Sequence, residues 1–222
     1  MTFALTVILA AASIIYELLL GQTLASTLGG TLVRYNVTIG LYLASMGLGA
    51  LLVDQDSPNR VAKLVRIEVL LSMLGASAPV IALAVDRAVG SSGSRWVLEV
   101  AAHSLVVLIG VLSGFELPLL MSIGESEKVG RQNTILATDY FGTLLGAVAF
   151  PLLLLPGLGM FGVGIVVGLA NAVAAMVLVF RSPRPMRLEL GLLVALVAVF
   201  LTALSRLREL HELLVEGLYL AR

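Results

Sequence analysis

The sequence contains no cysteine and little charge. Without cysteine among its 222 residues, disulfides, thiolate nucleophiles and cysteine-held metals are excluded. Only two histidines are present, far apart in sequence, which argues against zinc. We therefore expect no metal and no other cofactor. Lys+Arg and Asp+Glu are 14 each, so the chain lacks the excess of positive charge that is typical of nucleic-acid-binding proteins.

Charged residues make up 13% of the chain and hydrophobic residues 59%, whereas soluble domains carry roughly 25% charge. The run from Tyr140 to Phe180 contains forty-one residues without Lys, Arg, Asp or Glu. One membrane span needs only about 20 apolar residues, and Pro156 and Gly159 interrupt this run. The run therefore predicts two helices joined by a tight turn, in an all-α integral membrane protein whose main partner is the lipid bilayer.

Residues 1–205 are predicted to form a domain of seven transmembrane helices. Their approximate ranges are 4–28, 34–53, 64–85, 97–122, 134–155, 159–180 and 189–205. A weak internal repeat places Glu116 and Asn133 at positions that correspond to Glu17 and Asn36, three spans later. An odd number of spans gives the two copies opposite orientations, so we expect two inverted three-helix repeats plus one extra helix.

Residues 206–222 are predicted to form an amphipathic C-terminal segment. The leucines of the segment fall opposite its charges: Leu207, Leu210, Leu214 and Leu218 against Arg208, Glu209, Glu212 and Glu216. Such a helix lies on a membrane surface or leads into a partner domain.

Basic residues concentrate in the loops after spans two, four and six. These loops and their flanks hold Arg60, Lys63, Arg66, Lys128, Arg131, Arg181, Arg184 and Arg187, against Arg34, Arg87 and Arg95 in the other loops. Because cytoplasmic loops carry the excess of Lys and Arg, we expect a multi-pass protein of the inner (plasma) membrane with a cytoplasmic amino terminus.

Acidic and amide side chains within the spans are the candidate cation- or substrate-binding residues: Glu17, Glu116, Asp139 and Asn36. A charged group at the bilayer centre costs about 2.5–3.5 kcal/mol, so such groups face the bundle interior or a partner. The alternative interpretation is hydrogen bonding that fixes helix register. For Glu68, close to Arg66 and Lys63 in sequence, we expect ion pairing instead.

Small residues follow helical spacing in four spans and predict faces where helices pack closely. The four faces are Thr6/Ala10/Ser13/Glu17/Gly21, Asn36/Gly40/Ala44/Gly47, Asp139/Gly142/Gly146/Ala149 and Gly164/Gly168/Asn171/Ala175. Three GxxxG matches, beginning at Gly110, Gly142 and Gly164, agree with close packing.

Several of these motifs together resemble the membrane region of bacterial spermidine synthase-like proteins. The motifs are Tyr16-Glu17-Leu18-Leu19-Leu20-Gly21, Gly114-Phe115-Glu116-Leu117-Pro118 and Asp139-Tyr140-Phe141-Gly142. The resemblance implies a multi-span domain that precedes a polyamine aminopropyltransferase domain, and it implies that Glu17, Glu116 and Asp139 are family positions. The sequence ends at Arg222, before the part that resembles a synthase, so we expect no catalytic residues and no enzyme activity in this chain.

Three functions remain open from the sequence. The first is a non-catalytic module that binds or transports a cation such as a polyamine, aided by a homodimer. The second is a structural or anchoring subunit of a larger membrane complex. The third, an intramembrane enzyme, has the least support because no nucleophile and base can be paired.

Overall fold

The computed structural model describes residues 2–54, 59–90, 95–126, 132–182 and 185–215. All regular structure in these ranges is helical, in agreement with the predicted all-α class. The helices are α1 (Thr2–Leu28), α2 (Thr31–Leu52), α3 (Arg60–Gly90), α4 (Arg95–Gly114), α5 (Glu116–Ser126), α6 (Gln132–Ala149), a π-helical turn (Phe150–Leu154), α7 (Leu155–Arg181), α8 (Arg187–Ser205) and α9 (Leu207–Val215).

Apolar helices long enough to cross a membrane account for most of the described chain. Six such stretches occur, and Gln132–Arg181 is 50 residues long. A straight helix of that length would measure about 75 Å, more than twice the roughly 30 Å of a hydrocarbon core. The backbone leaves helical geometry at Gly159 (φ 65°, ψ 176°), which divides the stretch in two. The described chain thus contains seven long apolar helical segments, which agrees with the predicted number of helices.

The fourth span is broken between α4 and α5. Pro118 has no backbone N–H, so it cannot form the α-helical hydrogen bond to the Gly114 carbonyl. Just before this point, Phe115 N donates to Leu112 O (3.2 Å), three residues earlier, in a tighter turn than an α-helix. The break makes Glu116 the first residue of α5.

Helix α1 lies at the centre of the bundle and contacts α2 through α7. The most extensive helix pairs are α3 with α7, α1 with α6, and α2 with α4. All three GxxxG motifs lie at these contacts. A Cβ placed on Gly142, Gly164 or Gly110 would meet the backbone of Val7, Ala76 or Tyr42, respectively. The predicted role of these motifs in close packing is therefore confirmed.

The small-residue face predicted for α2 is wrong. Asn36 and Ala44 are exposed, and a Cβ on Gly40 or Gly47 would meet nothing within 4 Å. The face that packs on α4 is formed by Tyr42, Ser45 and Gly49 instead. Gly49 touches the Val111 carbonyl and Gly114, and the Tyr42 side chain is fully buried. The reason is that α2 carries two small-residue faces, and α4 occupies the one that also buries a large side chain.

Exposed apolar side chains cover the outside of the bundle, for example Leu51 (84% exposed) and Leu188 (83% exposed). In α9, Leu207 and Leu210 are half-buried, while Arg208 and Glu209 are exposed. This part of α9 follows the predicted amphipathic pattern. Glu216 and Leu218 of the predicted segment lie outside the described residues.

Candidate functional site

A cavity of about 210 Å³ lies between α1, α2, α5 and α6, with one contribution from the end of α4. Its lining residues are Ala10, Ser13, Ile14, Glu17, Leu43, Met46, Ser113, Glu116, Leu117, Asp139, Tyr140 and Thr143. The lining includes three carboxylates and no Lys or Arg, in the part of the chain that the structure describes.

The three carboxylates come from three different helices. Glu17 of α1 and Glu116 of α5 are each only 4% exposed, and Asp139 of α6 is half-buried. The predicted inward orientation of Glu17 and Glu116 is confirmed. The structure brings all three candidate acids to one cavity, and their role in binding stays a prediction.

Local sequence explains how the acids converge. Ala10, Ser13 and Glu17 fall on successive turns of α1, so one face of that helix lines the cavity. Gly142 and Gly146 let α6 approach the α1 backbone, which carries Asp139 against the same face. The Pro118 break sets Glu116 at the start of α5, where a helix amino terminus favours a negative side chain.

The Tyr42 hydroxyl forms a buried polar contact between α1, α2 and α4, beside the cavity. It lies 2.8 Å from Ser113 Oγ, 3.1 Å from the Ser13 carbonyl oxygen and 3.3 Å from Ser13 Oγ. Because Ser13 and Ser113 also line the cavity, Tyr42 fixes two of its walls. Tyr42 is not among the site residues predicted from the sequence. The three-residue spacing between Tyr42 and Ser45, which places both side chains on one helix face, could have indicated a buried polar face.

Asn36 lies away from the three acids. It is exposed near the start of α2 and does not line the cavity. Close by in sequence, the Arg34 guanidinium forms an ion pair with Glu99 of α4. His103 Nδ1 lies 2.6 Å from the Glu99 carbonyl oxygen, which holds the imidazole on its own helix.

The expectation of ion pairing for Glu68 is wrong. Glu68 is fully buried, whereas Arg66 pairs with Glu189 (3.1 Å) and Lys63 with Asp54 (3.5 Å). Arg66 and Lys63 lie two and five residues before Glu68, and residues at these spacings do not share a helix face, so nearness in sequence misled the prediction. The useful signal was the face that Glu68 shares with Ser72.

Comparison with known proteins shows homology to polyamine aminopropyltransferases. The chain is 30% identical over 171 residues to the enzyme of Leptospira interrogans serogroup Icterohaemorrhagiae serovar copenhageni (76% of this chain, 33% of the relative). It is 34% identical over 176 residues to that of Corynebacterium efficiens (76% and 33%). Identity to the Mycobacterium tuberculosis (strain H37Rv) protein is 36% over 174 residues (75% and 32%). The chain spans about a third of the length of these curated relatives.

These relatives overturn the functional expectation drawn from the sequence. They are named as enzymes, so the expected non-catalytic protein, whether a cation transporter or a structural subunit, is contradicted. The error came from reading the missing synthase motifs as a lack of enzymatic function. The expected spermidine synthase-like relationship is supported over about 76% of the chain.

No family model and no solved structure matches the chain.

Proposed function

We propose that this chain serves enzymatic aminopropyl transfer to a polyamine, as the helical part of a polyamine aminopropyltransferase, with a polyamine bound in the cavity between α1, α2, α5 and α6. Homology to enzymes of that name supports the reaction class. The observation that carries the binding site is the convergence of Glu17, Glu116 and Asp139 on one cavity whose described lining holds no cationic side chain.

The chemistry of the cavity suits a slender cationic amine. Small-molecule sites usually measure about 300–1,000 Å³, and this cavity is smaller, at about 210 Å³. A buried carboxylate that stays ionised needs a compensating positive charge, and each ammonium group of a polyamine can pair with one carboxylate. Apolar side chains such as Ile14 and Leu117 would contact the methylene groups between the ammonium groups.

In aminopropyl transfer, an amine nitrogen of the polyamine bonds to the terminal carbon of an aminopropyl group. The bond between that carbon and the donor's leaving group breaks, the leaving group keeps the bonding electron pair, and the proton of the amine passes to solvent. The role assigned to Glu17, Glu116 and Asp139 is to bind and orient the ammonium groups that do not react. Holding a substrate in a fixed geometry is itself a major source of rate enhancement.

The proposal includes a bilayer as the surroundings of the seven spans, in the inner membrane with a cytoplasmic amino terminus. Exposed leucines on the outer surface, such as Leu51 and Leu188, support it because they would contact acyl chains. Two of the described basic residues from the predicted cytoplasmic loops and their flanks also make contacts between helices. Arg66 pairs with Glu189 of α8, and Arg60 donates to the Ser122 carbonyl (3.0 Å) of α5.

Two inverted three-helix units also belong to this proposal, with α8 as the extra helix. In this arrangement α1 corresponds to the fourth span (α4 with α5), α2 to α6, and α3 to α7. When each helix is replaced by its counterpart, the principal helix contacts are reproduced. The α1–α6 contact becomes that of α4 with α2, α3–α4 becomes α7–α1, and α3–α7 maps onto itself. In this exchange Glu17 corresponds to Glu116, so the two units meet at the cavity.

The binding proposal is tested with this protein in lipid nanodiscs and labelled spermidine. We expect Glu17→Gln and Asp139→Asn each to weaken binding about tenfold or more, because each removes one carboxylate from an ammonium group, roughly 1.4 kcal/mol or more. Glu209→Gln is the matched control, since it removes an exposed carboxylate from α9. Unchanged affinity in both cavity variants would contradict the site.

The reaction is tested separately by incubating membranes that contain the protein with a labelled aminopropyl donor and spermidine. Label should enter the polyamine fraction, and it should enter more slowly with Glu17→Gln. If the wild-type membranes transfer no label above membranes without the protein, the assignment of the reaction is wrong.

A further inference from the structure

A second group of polar side chains lies in the interior, mostly outside the cavity. We call it the inner polar cluster, and its members are Tyr16 of α1, Glu68 and Ser72 of α3, Glu116 of α5 and Asn171 of α7. Each is 4% exposed or less, and Glu68, Ser72 and Asn171 are fully buried. Only Glu116 also lines the cavity.

With Glu68 and Glu116 both ionised, so that neither can donate to the other, these side chains have polar atoms with no hydrogen-bond partner among the described residues. The atoms are Tyr16 Oη, Glu68 Oε1 and Oε2, Ser72 Oγ, Glu116 Oε1, and Asn171 Oδ1 and Nδ2. Most buried polar groups in proteins are hydrogen-bonded, because leaving one unpaired costs roughly 1–3 kcal/mol. Seven such atoms in one bundle, six of them oxygens, point to a bound species.

The helix packing brings the members together. The carboxyl groups of Glu68 and Glu116 are close enough to interact, and the Tyr16 hydroxyl interacts electrostatically with both. The Tyr16 ring packs over Gly75, one turn beyond Ser72 on α3. A larger residue than glycine at position 75 would displace that ring, so this glycine sets the position of the Tyr16 hydroxyl.

The antiparallel packing of α3 and α7 places Asn171 at the level of the other members. Ala76 packs against Gly164, and the Ser72 carbonyl lies opposite Gly168. One turn further along both helices, Asn171 lies level with Glu68. The cluster is therefore built from α1, α3, α5 and α7.

The net charge and the donor atoms of the inner polar cluster determine which ion it could bind. Glu116 faces the cavity, where the proposed function pairs it with an ammonium group, so Glu68 is left to be balanced by one positive charge. The basic residues nearest in sequence, Lys63 and Arg66, are paired with other acids. Oxygen donors from carboxylate, hydroxyl and amide groups suit hard cations rather than transition metals. Mg²⁺ usually keeps several waters, which a sealed set of side chains does not favour.

We propose that the inner polar cluster binds one monovalent alkali cation, held by Glu68 and the oxygens of Tyr16, Ser72 and Asn171, with Glu116 at its edge. The ion would link four helices and set the orientation of Glu116 toward the cavity. The charge assignment rests on the proposed function, but the ion has its own measurable signature.

The test is thermal unfolding of the purified full chain in detergent at constant ionic strength, with sodium chloride replaced stepwise by choline chloride. A ligand that binds only the folded state stabilises it by RT ln(1 + [L]/Kd), so Tm should rise with sodium and then saturate. Glu68→Gln should lose this dependence. Glu125→Gln, an exposed acid on α5, should keep it.

Direct binding keeps the proposal testable if Glu68→Gln unfolds. Equilibrium dialysis with ²²Na⁺ should show one bound ion per chain, and Ser72→Ala should weaken its affinity severalfold while circular dichroism stays unchanged. A Tm that is equal in sodium and choline, or a sodium effect that persists in folded Glu68→Gln, would overturn the site. Spermidine affinity of Glu17→Gln tests the proposed function separately, so the two failures are distinguishable.

Discussion

At the scale of single residues, buried polar groups organise the interior. Tyr42 joins α2 to both serines of the cavity wall through one hydroxyl, and it is fully buried. A phenol at this position therefore does two things: its ring fills space between helices, and its hydroxyl hydrogen-bonds to buried backbone and side-chain groups of α1 and α4.

Tyr42→Phe separates these two effects. Removing the hydroxyl leaves Ser13 and Ser113 without their shared partner, so we expect a loss of about 1–2 kcal/mol in the free energy of unfolding. Chemical denaturation in detergent measures it. Tyr140→Phe is the control, because Tyr140 is 66% exposed and should change stability little. Equal stability of the Tyr42→Phe protein and the wild type would show that these hydrogen bonds contribute nothing.

At the scale of helices, close backbone approach sets the architecture. At Gly146 of α6, a Cβ would lie 2.5 Å from Ile14 Cγ2 and 2.6 Å from the Ala11 carbonyl oxygen. Such distances cannot be tolerated without movement of one helix. Since α6 also carries Asp139, a shift of α6 away from α1 would widen the cavity.

Gly146→Ala should therefore destabilise the protein by about 1–3 kcal/mol through overpacking. Gly47→Ala is the matched control. Its Cβ would meet nothing within 4 Å, so the better helix propensity of alanine should leave stability unchanged or raise it by about 0.5–1 kcal/mol. Unfolding of both variants in the same detergent gives the comparison. A smaller loss at Gly146 than at Gly47 would contradict the packing described here.

At the scale of the whole molecule, the proposed orientation in the membrane follows from the distribution of basic residues. The chain has no cysteine, so single introduced cysteines report on one position each. Asp54→Cys and Glu125→Cys lie at the end proposed to be cytoplasmic, and exposed Arg87→Cys lies at the other. In intact cells, an impermeant maleimide should label only Arg87→Cys, and lysis should expose the other two. Labelling of Asp54→Cys in intact cells would reverse the orientation.

Fold class and span number were predictable because both depend on the length of apolar runs. Seven spans and the break near Gly159 follow from hydropathy and from proline and glycine positions alone. The converging acids were also found, because Glu17 and Glu116 are costly in an apolar span and must turn inward.

Rotational and pairing details were less predictable. On α2 two small-residue faces compete, and only the partner helix decides between them. Glu68 was assigned by its neighbours in sequence, although its helix face turns it inward, away from Arg66. Both errors concern which side of a helix meets which neighbour, and tertiary contacts far apart in sequence settle that.

The central position of α1 has a consequence for biogenesis. This helix precedes α6 and α7 by more than a hundred residues in the chain and is therefore synthesised before them, yet it packs against both. In the proposed membrane placement, Glu17 would enter the bilayer before Asp139 is synthesised, and the apolar character of α1 would offset that transient exposure. Completion of the fold waits for the late helices to close around the early one, so truncation before α7 should leave α1 a substrate for quality-control proteases.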